Sequence, residues 1–188
     1  MKTILKNTLI LLAITLVAGV ALSFVYELTK EPIAAAEQQK KENAYREVYA
    51  TAATFEPING MEARLEDHNA AMTDGTSIQE ILAAKSEDGE LLGYVLTTNS
   101  SKGYGGNVTL ALGIDKTGKV VGYAVLSHSE SPGFGANCVN PEIAEQFTGI
   151  TSTDGVDGIS GATYTTKALK TQVQAAIDYV VKMGGEAA

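Results

Sequence analysis

The feature that most constrains this chain is an uncharged run of 20 residues, from Asn7 to Tyr26. At about 1.5 Å per residue, a helix of this length spans about 30 Å, which is the thickness of the hydrocarbon core of a bilayer. The polar interruptions are mild, because the hydroxyls of Thr8, Thr15 and Ser23 can bond back to their own helix. The run therefore predicts a transmembrane anchor over residues 7–26.

A cleaved signal peptide is the alternative interpretation of this run. Such a peptide has a shorter apolar core, about 7–15 residues, followed by a small-residue cleavage site. Here the run ends in the bulky segment 24–28, and the small residues 34–36 lie well beyond it. The sequence thus favours an uncleaved anchor. Lys2 and Lys6 precede it, so the positive-inside rule predicts that residues 1–6 are cytoplasmic and that residues 27–188 lie on the outer or periplasmic side of the cell (inner) membrane.

Charge and cysteine content exclude several classes of protein. The net charge is −8, and residues 1–26 contribute +2, so the remainder carries −10. An acidic domain binds nucleic acid poorly, because Lys and Arg supply most of that affinity. Cys138 is the only cysteine, so the chain cannot form an intrachain disulfide, an iron–sulfur cluster or a CxxCH haem attachment. We expect Cys138 to be a small buried apolar residue.

The segment after the anchor predicts a second helix and then an irregular connection. Pro32 suits the first turn of a new helix, which would extend as a stalk to about Ala53. Phe55 to Thr76, with its Pro and Gly residues, is typical of irregular structure. One face of the stalk helix would be lined by Ile33, Tyr45, Val48, Tyr49 and Ala52.

Four strands are predicted from residue 77 onward. Residues 77–85 and 90–99 flank Asp88-Gly89, a strong hairpin signal. Residues 107–115 and 119–128 flank a turn that ends in Gly118 and form a second hairpin. Consecutive antiparallel strands imply a meander sheet, which the chain leaves through a loop over 129–137.

Two helices follow the predicted sheet. Asn140-Pro141-Glu142 has the cap, proline and acid of a helix start, and this helix would end near Phe147. The last helix is predicted over 166–183, with Gly184-Gly185 ending it. Leu169, Val173, Ile177 and Val180 recur on one face of it. The fold class is therefore α+β: a transmembrane helix (7–26), a stalk and connection (27–76), and a domain with an antiparallel meander sheet and packed helices (77–188).

The segment 157–165, just before the last helix, carries the chemistry. Two glycines and an alanine leave the backbone bare around one hydroxyl, that of Thr163. A helix N-terminus offers free N–H groups and a positive dipole, which together favour a phosphate. A phosphate ester on Thr163 would lie in that field. The same residues also fit an ordinary helix-capping turn, with Thr165 as the cap.

This segment resembles the flavinylation motif of the FMN-binding domain family, D-G-x-[ST]-G-A-T. In that family the last Thr is joined through its hydroxyl to the phosphate of FMN. The resemblance implies a covalent FMN on Thr163. Every specified position of the motif is filled, by Asp157, Gly158, Ser160, Gly161, Ala162 and Thr163.

Two further segments resemble the same family. Residues 130–135 are similar to its E-T-P-G-x-G loop, with Ser131 in place of Thr, and residues 101–106 are similar to its G-Y-x-G segment. In the loop, two glycines would allow close backbone approach to the flavin and Phe134 would cover the ring. Lys102 and Tyr104 either reach the flavin or only shape their turn. The implied FMN-binding residues are Lys102, Tyr104, Glu130, Ser131, Pro132, Gly133, Phe134, Gly135 and Thr165. No catalytic residue is assigned, and His68 and His128 lack the spacing of metal ligands.

The resemblance implies a redox role in a membrane complex. Two proteins share this plan: the G subunit of the Rnf ferredoxin:NAD oxidoreductase, which this chain resembles in length, and the longer C subunit of the sodium-translocating NADH:quinone reductase. The implied partners are the A, B, C, D and E subunits of Rnf. Threonine is a weak nucleophile and no base lies in the motif, so a separate FMN transferase is expected during maturation. A membrane-anchored binding module without redox activity is the alternative from another class.

Overall fold

The computed structural model describes residues 1–186, which form two compact units, Met1–Lys40 and Lys41 onward. The first unit lies within helix α1 (Lys2–Val48). Among the described residues, α1 is the one helix long and apolar enough to cross a membrane, with a mean hydropathy of 2.6 and none of that window buried. Two hydroxyls of the apolar run bond within the helix: Thr8 donates to the Ile4 carbonyl at 3.0 Å and Thr15 to the Leu11 carbonyl at 3.1 Å.

The predicted start of a second helix at Pro32 is wrong, because α1 continues through it. A proline inside a helix removes one backbone hydrogen bond. Strong helix formers on both sides, including Ala34–Ala36 and the charged residues around them, outweigh that loss. The helix also ends at Val48 rather than near Ala53. Ile33 is exposed, whereas Tyr45, Val48 and Tyr49 are buried.

The second unit is built on a five-stranded antiparallel sheet with the strand order β1-β2-β3-β4-β5. The four predicted strands are confirmed, and a short edge strand precedes them. The strands are β1 (Thr54–Pro57), β2 (Thr76–Lys85), β3 (Leu91–Ser100), β4 (Val108–Asp115) and β5 (Val120–His128). Gly89 and Gly118, in the two tight turns, have φ angles of 80° and 86°, which a side chain would strain.

The expectation of irregular structure over Phe55–Thr76 is wrong. Strand β1 pairs with β2, placing Phe55 opposite Ala84. Helix α2 (Met61–Ala71) follows and buries Met61 and Leu65. These two residues are four apart and so share one helical face, which packs into the main core.

The sheet is covered on both faces, since alternate residues of β4 belong to different clusters. Leu110, Leu112 and Ile114 join the larger core, together with α4 (Thr163–Glu186). Ala111 joins the smaller cluster, which is formed with the last turn of α1. The apolar face predicted for the last helix is confirmed: Leu169, Val173, Ile177 and Val180 are all buried.

Close approach of α1 to the sheet depends on paired glycines. Gly113 of β4 lies opposite Gly122 of β5. A Cβ on either would collide with the backbone of Val48. The pair therefore leaves a shallow depression in the sheet surface, which the end of α1 fills.

The remaining elements are a 3₁₀ turn and two helices, and the second of these helices begins within the segment 157–165. A 3₁₀ turn spans Gly135–Val139, and α3 (Pro141–Phe147) follows with Asn140 at its N-cap position, as predicted. The Asn140 side chain makes no capping hydrogen bond. Helix α4 begins at Thr163, three residues earlier than predicted, and continues past Gly184-Gly185 to Glu186. Thr165 is therefore inside the first turn and is not the cap.

Candidate functional site

One cavity brings together all three segments singled out from the sequence. Its volume is about 480 Å³. Small-molecule sites generally measure about 300–1,000 Å³, so this cavity can hold a cofactor-sized ring system. It is lined by Tyr104, Glu130, Ser131, Phe134, Gly135, Gly161, Ala162, Thr163, Tyr164 and Thr165.

Thr163 lies at the N-terminus of α4, on the wall of this cavity. It is the first residue of the helix and its side chain is exposed. The N–H of Thr166 donates to the carbonyl of Ala162 at 2.9 Å, so the preceding amides lie at the positive end of the helix. A phosphate on the Thr163 hydroxyl would meet that positive end.

The hydroxyls of the other two threonines of this turn, Thr165 and Thr166, already take part in hydrogen bonds. The Thr165 hydroxyl is buried and donates to Glu130 Oε2 at 2.6 Å. The Thr166 hydroxyl accepts a hydrogen bond from the Ile159 N–H at 2.9 Å. Thr163 is therefore the threonine of this turn whose hydroxyl is best placed to carry a group.

Glu130 forms the floor of the cavity. Its side chain is buried, and its two oxygens accept from different segments: Oε1 from the Gly105 N–H at 3.1 Å and Oε2 from Thr165. Glycines make room for it, since a Cβ at Gly103 or at Gly135 would collide with a carboxylate oxygen. Glu130 thus ties the 101–106 turn, the 130–135 loop and the start of α4 together.

Three exposed aromatic rings surround the cavity. Tyr104 is 74% exposed, Tyr164 70% and Phe134 56%. The rings of Tyr104 and Tyr164 are tilted by 43°, with centroids 6.5 Å apart. Exposed aromatic rings beside a cavity offer flat apolar surfaces to a planar ligand.

Several residues of the predicted cofactor site and of the flavinylation motif do not line the cavity. Gly133 has φ of 80° and open space where a Cβ would be. At Gly135, by contrast, the position of a Cβ is already occupied by side-chain atoms of Glu130 and Thr165. Lys102 lies against Gly75 instead. Asp157, Gly158 and Ser160 are exposed in the segment before α4. The residues outside the cavity lining are Lys102, Pro132, Gly133, Asp157, Gly158 and Ser160, and their roles stay predictions.

The sequence reasoning missed Tyr164. An aromatic residue directly after the predicted acceptor, in the first turn of a helix, points away from the core and is a usable signal.

Cys138 is fully buried beside this site, as predicted for a small apolar residue. Burial, and secondarily the charge of Glu130, raises the pKa of its thiol to about 11. The thiol is therefore protonated at neutral pH and is not a nucleophile. His128 accepts a hydrogen bond at Nδ1 from the Glu130 N–H, 3.2 Å away. Within the described residues, no group of three or more His, Cys, Asp or Glu is placed to hold a metal ion.

Two family models match this chain. The FMN-binding domain matches residues 103–178, and the RnfG N-terminal region matches residues 1–48. The first match contains the 130–135 loop, the segment 157–165 and residues 103–106 of the turn that meets them at the cavity, and the second contains the whole of α1.

Relatives extend the match along the chain. The G subunit of the ion-translocating oxidoreductase complex of Methanosarcina acetivorans is 31% identical, covering 98% of this chain and 98% of the relative. The chain belongs to the family of G subunits of ion-translocating oxidoreductase complexes. Another G subunit, from the Na(+)-translocating ferredoxin:NAD(+) oxidoreductase complex of Acetobacterium woodii, is 30% identical over 94% of this chain and 91% of its own length.

A third G subunit comes from the proton-translocating ferredoxin:NAD(+) oxidoreductase complex of Clostridium ljungdahlii. It is 28% identical over 90% of this chain and 87% of its own length. Membership of the G-subunit family confirms the resemblance found in the sequence and decides against the C subunit of the quinone reductase.

A solved structure is also similar to part of this chain. The crystal structure of Shewanella oneidensis NqrC covers 74% of this chain and 74% of its own, with a TM-score of 0.48 and 14% identity.

Proposed function

We propose that this chain is the flavoprotein electron carrier of an Rnf-type complex, transferring electrons between ferredoxin and NAD, with FMN joined through its phosphate to the Thr163 hydroxyl. The observation that carries the proposal is the position of Thr163, exposed at the N-terminus of a 24-residue helix and on the wall of a cavity of about 480 Å³. The FMN-binding domain match over residues 103–178 and the G-subunit family support it.

The residues present fit such a group. The first amides of α4 would hold the phosphate, since a helix N-terminus favours an anion. Gly161, with φ of 74°, brings bare backbone beside the acceptor. Tyr104, Phe134 and Tyr164 would cover the flat ring. When bound, FMN would supply one- and two-electron transfer, and the chain would orient it and shield it from water.

Attachment requires help from another protein. Within the described residues, none of those lining the cavity is His, Cys or Lys. The one carboxylate there, Glu130, accepts hydrogen bonds from Gly105 and Thr165 rather than from Thr163. No group is thus placed to activate the Thr163 hydroxyl. We therefore infer that a separate FMN transferase makes the ester, and that the chain is not catalytic alone.

The location follows from α1 and from the charge around it. We propose that residues 7–26 remain as an uncleaved anchor, with residues 1–6 in the cytoplasm and the FMN-binding domain on the outer or periplasmic face of the cell membrane. Lys2 and Lys6 before the apolar run support this orientation. The partners would be the A, B, C, D and E subunits of the complex.

The test is to purify the complex from native membranes, separate this polypeptide, and measure its intact mass and visible absorbance. The expected result is the mass of the chain plus one FMN, with the yellow flavin spectrum retained after denaturation. The unmodified mass, with free flavin released on denaturation, would contradict covalent attachment. Normal ferredoxin-driven NAD reduction in membranes lacking this polypeptide would contradict the electron-carrier role.

A further inference from the structure

Glu130 buries a carboxylate at the cavity floor, although the flavin role proposed above does not require a charge there. The residue is 6% exposed, and none of the ion pairs of the described residues includes it. A buried charge without an opposite charge is costly, so it persists only where hydrogen bonds and dipoles stabilise it.

The side chain of Glu130 is held by hydrogen-bond donors from two other segments. Both oxygens accept hydrogen bonds, from the Gly105 N–H at 3.1 Å and from the Thr165 hydroxyl at 2.6 Å. Thr165 is in the first turn of α4, whose positive end favours a nearby anion. Gly103 and Gly135 leave the carboxylate its space, since a side chain at either position would overlap it. The local backbone is therefore shaped around a fixed negative charge.

We propose that Glu130 is a positioning residue whose fixed charge lowers the midpoint potential of the flavin in this cavity. The inference rests on the proposed function, because it needs a flavin beside Glu130. Reduction adds two electrons and one proton to the oxidised ring, leaving it one negative charge more than before. A fixed negative charge in the same cavity opposes that addition, and the burial of Glu130 reduces the screening of its charge by water.

The decisive variant is Glu130→Gln in the full-length protein, loaded with flavin in cells that contain the transferase. Gln has the same shape, and its amide can satisfy both neighbours: its oxygen accepts from the Gly105 N–H and its NH₂ donates to the Thr165 oxygen. The charge is removed while the packing is kept. Midpoint potentials are measured by titration with dithionite in buffer, following visible absorbance.

The expected result is a higher potential in Glu130→Gln. At a fixed applied potential the ratio of reduced to oxidised flavin should rise by about tenfold, which is about 30 mV for a two-electron couple. Glu145→Gln is the matched control, because Glu145 is exposed on α3, and it should leave the potential unchanged. An unchanged potential in Glu130→Gln would overturn the proposal.

Glu130→Asp separates charge from packing. It keeps the charge but withdraws it by one methylene, so the potential should rise by less than in the Gln variant. Equal shifts in the two variants would mean that packing and not charge acts, and would overturn the proposal. If the Gln variant does not accumulate in membranes, the uncharged variant Glu130→Met takes its place with the same expected rise, and an unchanged potential in that variant overturns the proposal.

Intact mass keeps the two hypotheses apart. A wild-type chain without added FMN mass refutes the proposed function. Flavin mass in every variant with equal potentials refutes only the role of Glu130.

Discussion

The ring of Phe134 packs against Gly161, with its Cδ1 and Cε1 atoms 3.0 and 3.3 Å from the position where a Cβ would be. This contact joins the 130–135 loop to the segment that contains Thr163. Gly161 also has φ of 74°, a conformation that other residues adopt with strain. A glycine is therefore needed at position 161 for two reasons: the backbone has a positive φ, and the ring of Phe134 leaves little room for a side chain.

The first prediction concerns the attachment residue. Thr163→Ala should abolish covalent flavin, because it removes the exposed hydroxyl and leaves Thr165 and Thr166 in their hydrogen bonds. Yellow fluorescence of the band in a denaturing gel, together with intact mass, measures this. Thr171→Ala is the matched control, as Thr171 is a threonine of the same helix whose hydroxyl bonds the Lys167 carbonyl. Fluorescence that survives in Thr163→Ala would move the attachment to Thr165 or Thr166.

The second prediction concerns maturation. Protein produced in cells that lack the FMN transferase should have the mass of the unmodified chain, because no group lining the cavity is placed to activate Thr163. Restoring the transferase should restore the added mass. Full flavinylation without it would establish self-catalysis and refute the proposed route.

The third prediction concerns topology. Protease added to spheroplasts or whole protoplasts should digest the domain that follows the anchor, since two lysines precede the apolar run. Immunoblotting with antibodies against the domain measures the loss. A cytoplasmic protein serves as the control for intact membranes. A protected domain would reverse the proposed orientation.

The fourth prediction compares two glycines of one loop. Gly135→Ala should destabilise the domain by about 1–3 kcal/mol, because the added Cβ meets the Glu130 carboxylate and the Thr165 hydroxyl. It should also alter the visible spectrum of the flavin. Gly133→Ala strains a left-handed backbone by about 1–2 kcal/mol but meets no neighbouring atom.

Both variants should keep covalent FMN, since Thr163 belongs to another segment. Chemical denaturation, flavin content and absorbance measured on the same samples separate the two effects. A spectral change confined to Gly133→Ala would mean that Gly133, rather than Gly135, lies beside the ring.

The fifth prediction concerns Cys138. Burial raises the pKa of its thiol from 9.0 to about 11. The folded pKa is above the unfolded value, so this thiol favours the fold below pH 9, and the contribution is lost as the pH rises through 11. Iodoacetamide at pH 8 should therefore leave Cys138 unlabelled in the folded protein and should label it fully when the protein is unfolded in guanidinium, as measured by mass. Equal labelling rates in the two states would contradict the buried position.

The elements predicted correctly from sequence have local signals. Strands β2 to β5 are bounded by turns that contain Gly89 and Gly118, and each turn fixes the pairing of its neighbours. The positions of α3 and α4 follow from a proline start and from a repeated apolar face. For these elements the residues that decide the structure lie within the element or beside it.

The missed elements depend on distant partners. Strand β1 has only four residues and is mostly exposed, so its sequence is too short to show a recognisable alternation of apolar and polar residues. It forms because it pairs with the edge of β2. Helix α2 buries only Met61 and Leu65. Pro32 suits either a helix start or a tolerated interior position, and the choice depends on the residues before it. The cavity likewise depends on contacts between segments that are 25 to 35 residues apart, such as those of Glu130.

The contact between the glycine pair of the sheet and the end of α1 determines where a recombinant fragment of this protein can begin. Because Gly113 and Gly122 admit the Val48 backbone, the end of α1 fills a surface that a shorter fragment would leave open to water. A fragment beginning at residue 77 would lack Tyr45, Val48 and Tyr49 and would present Val95 and Ala111 to solvent. Production of the domain without its membrane segment should therefore begin near residue 41, where the second compact unit starts.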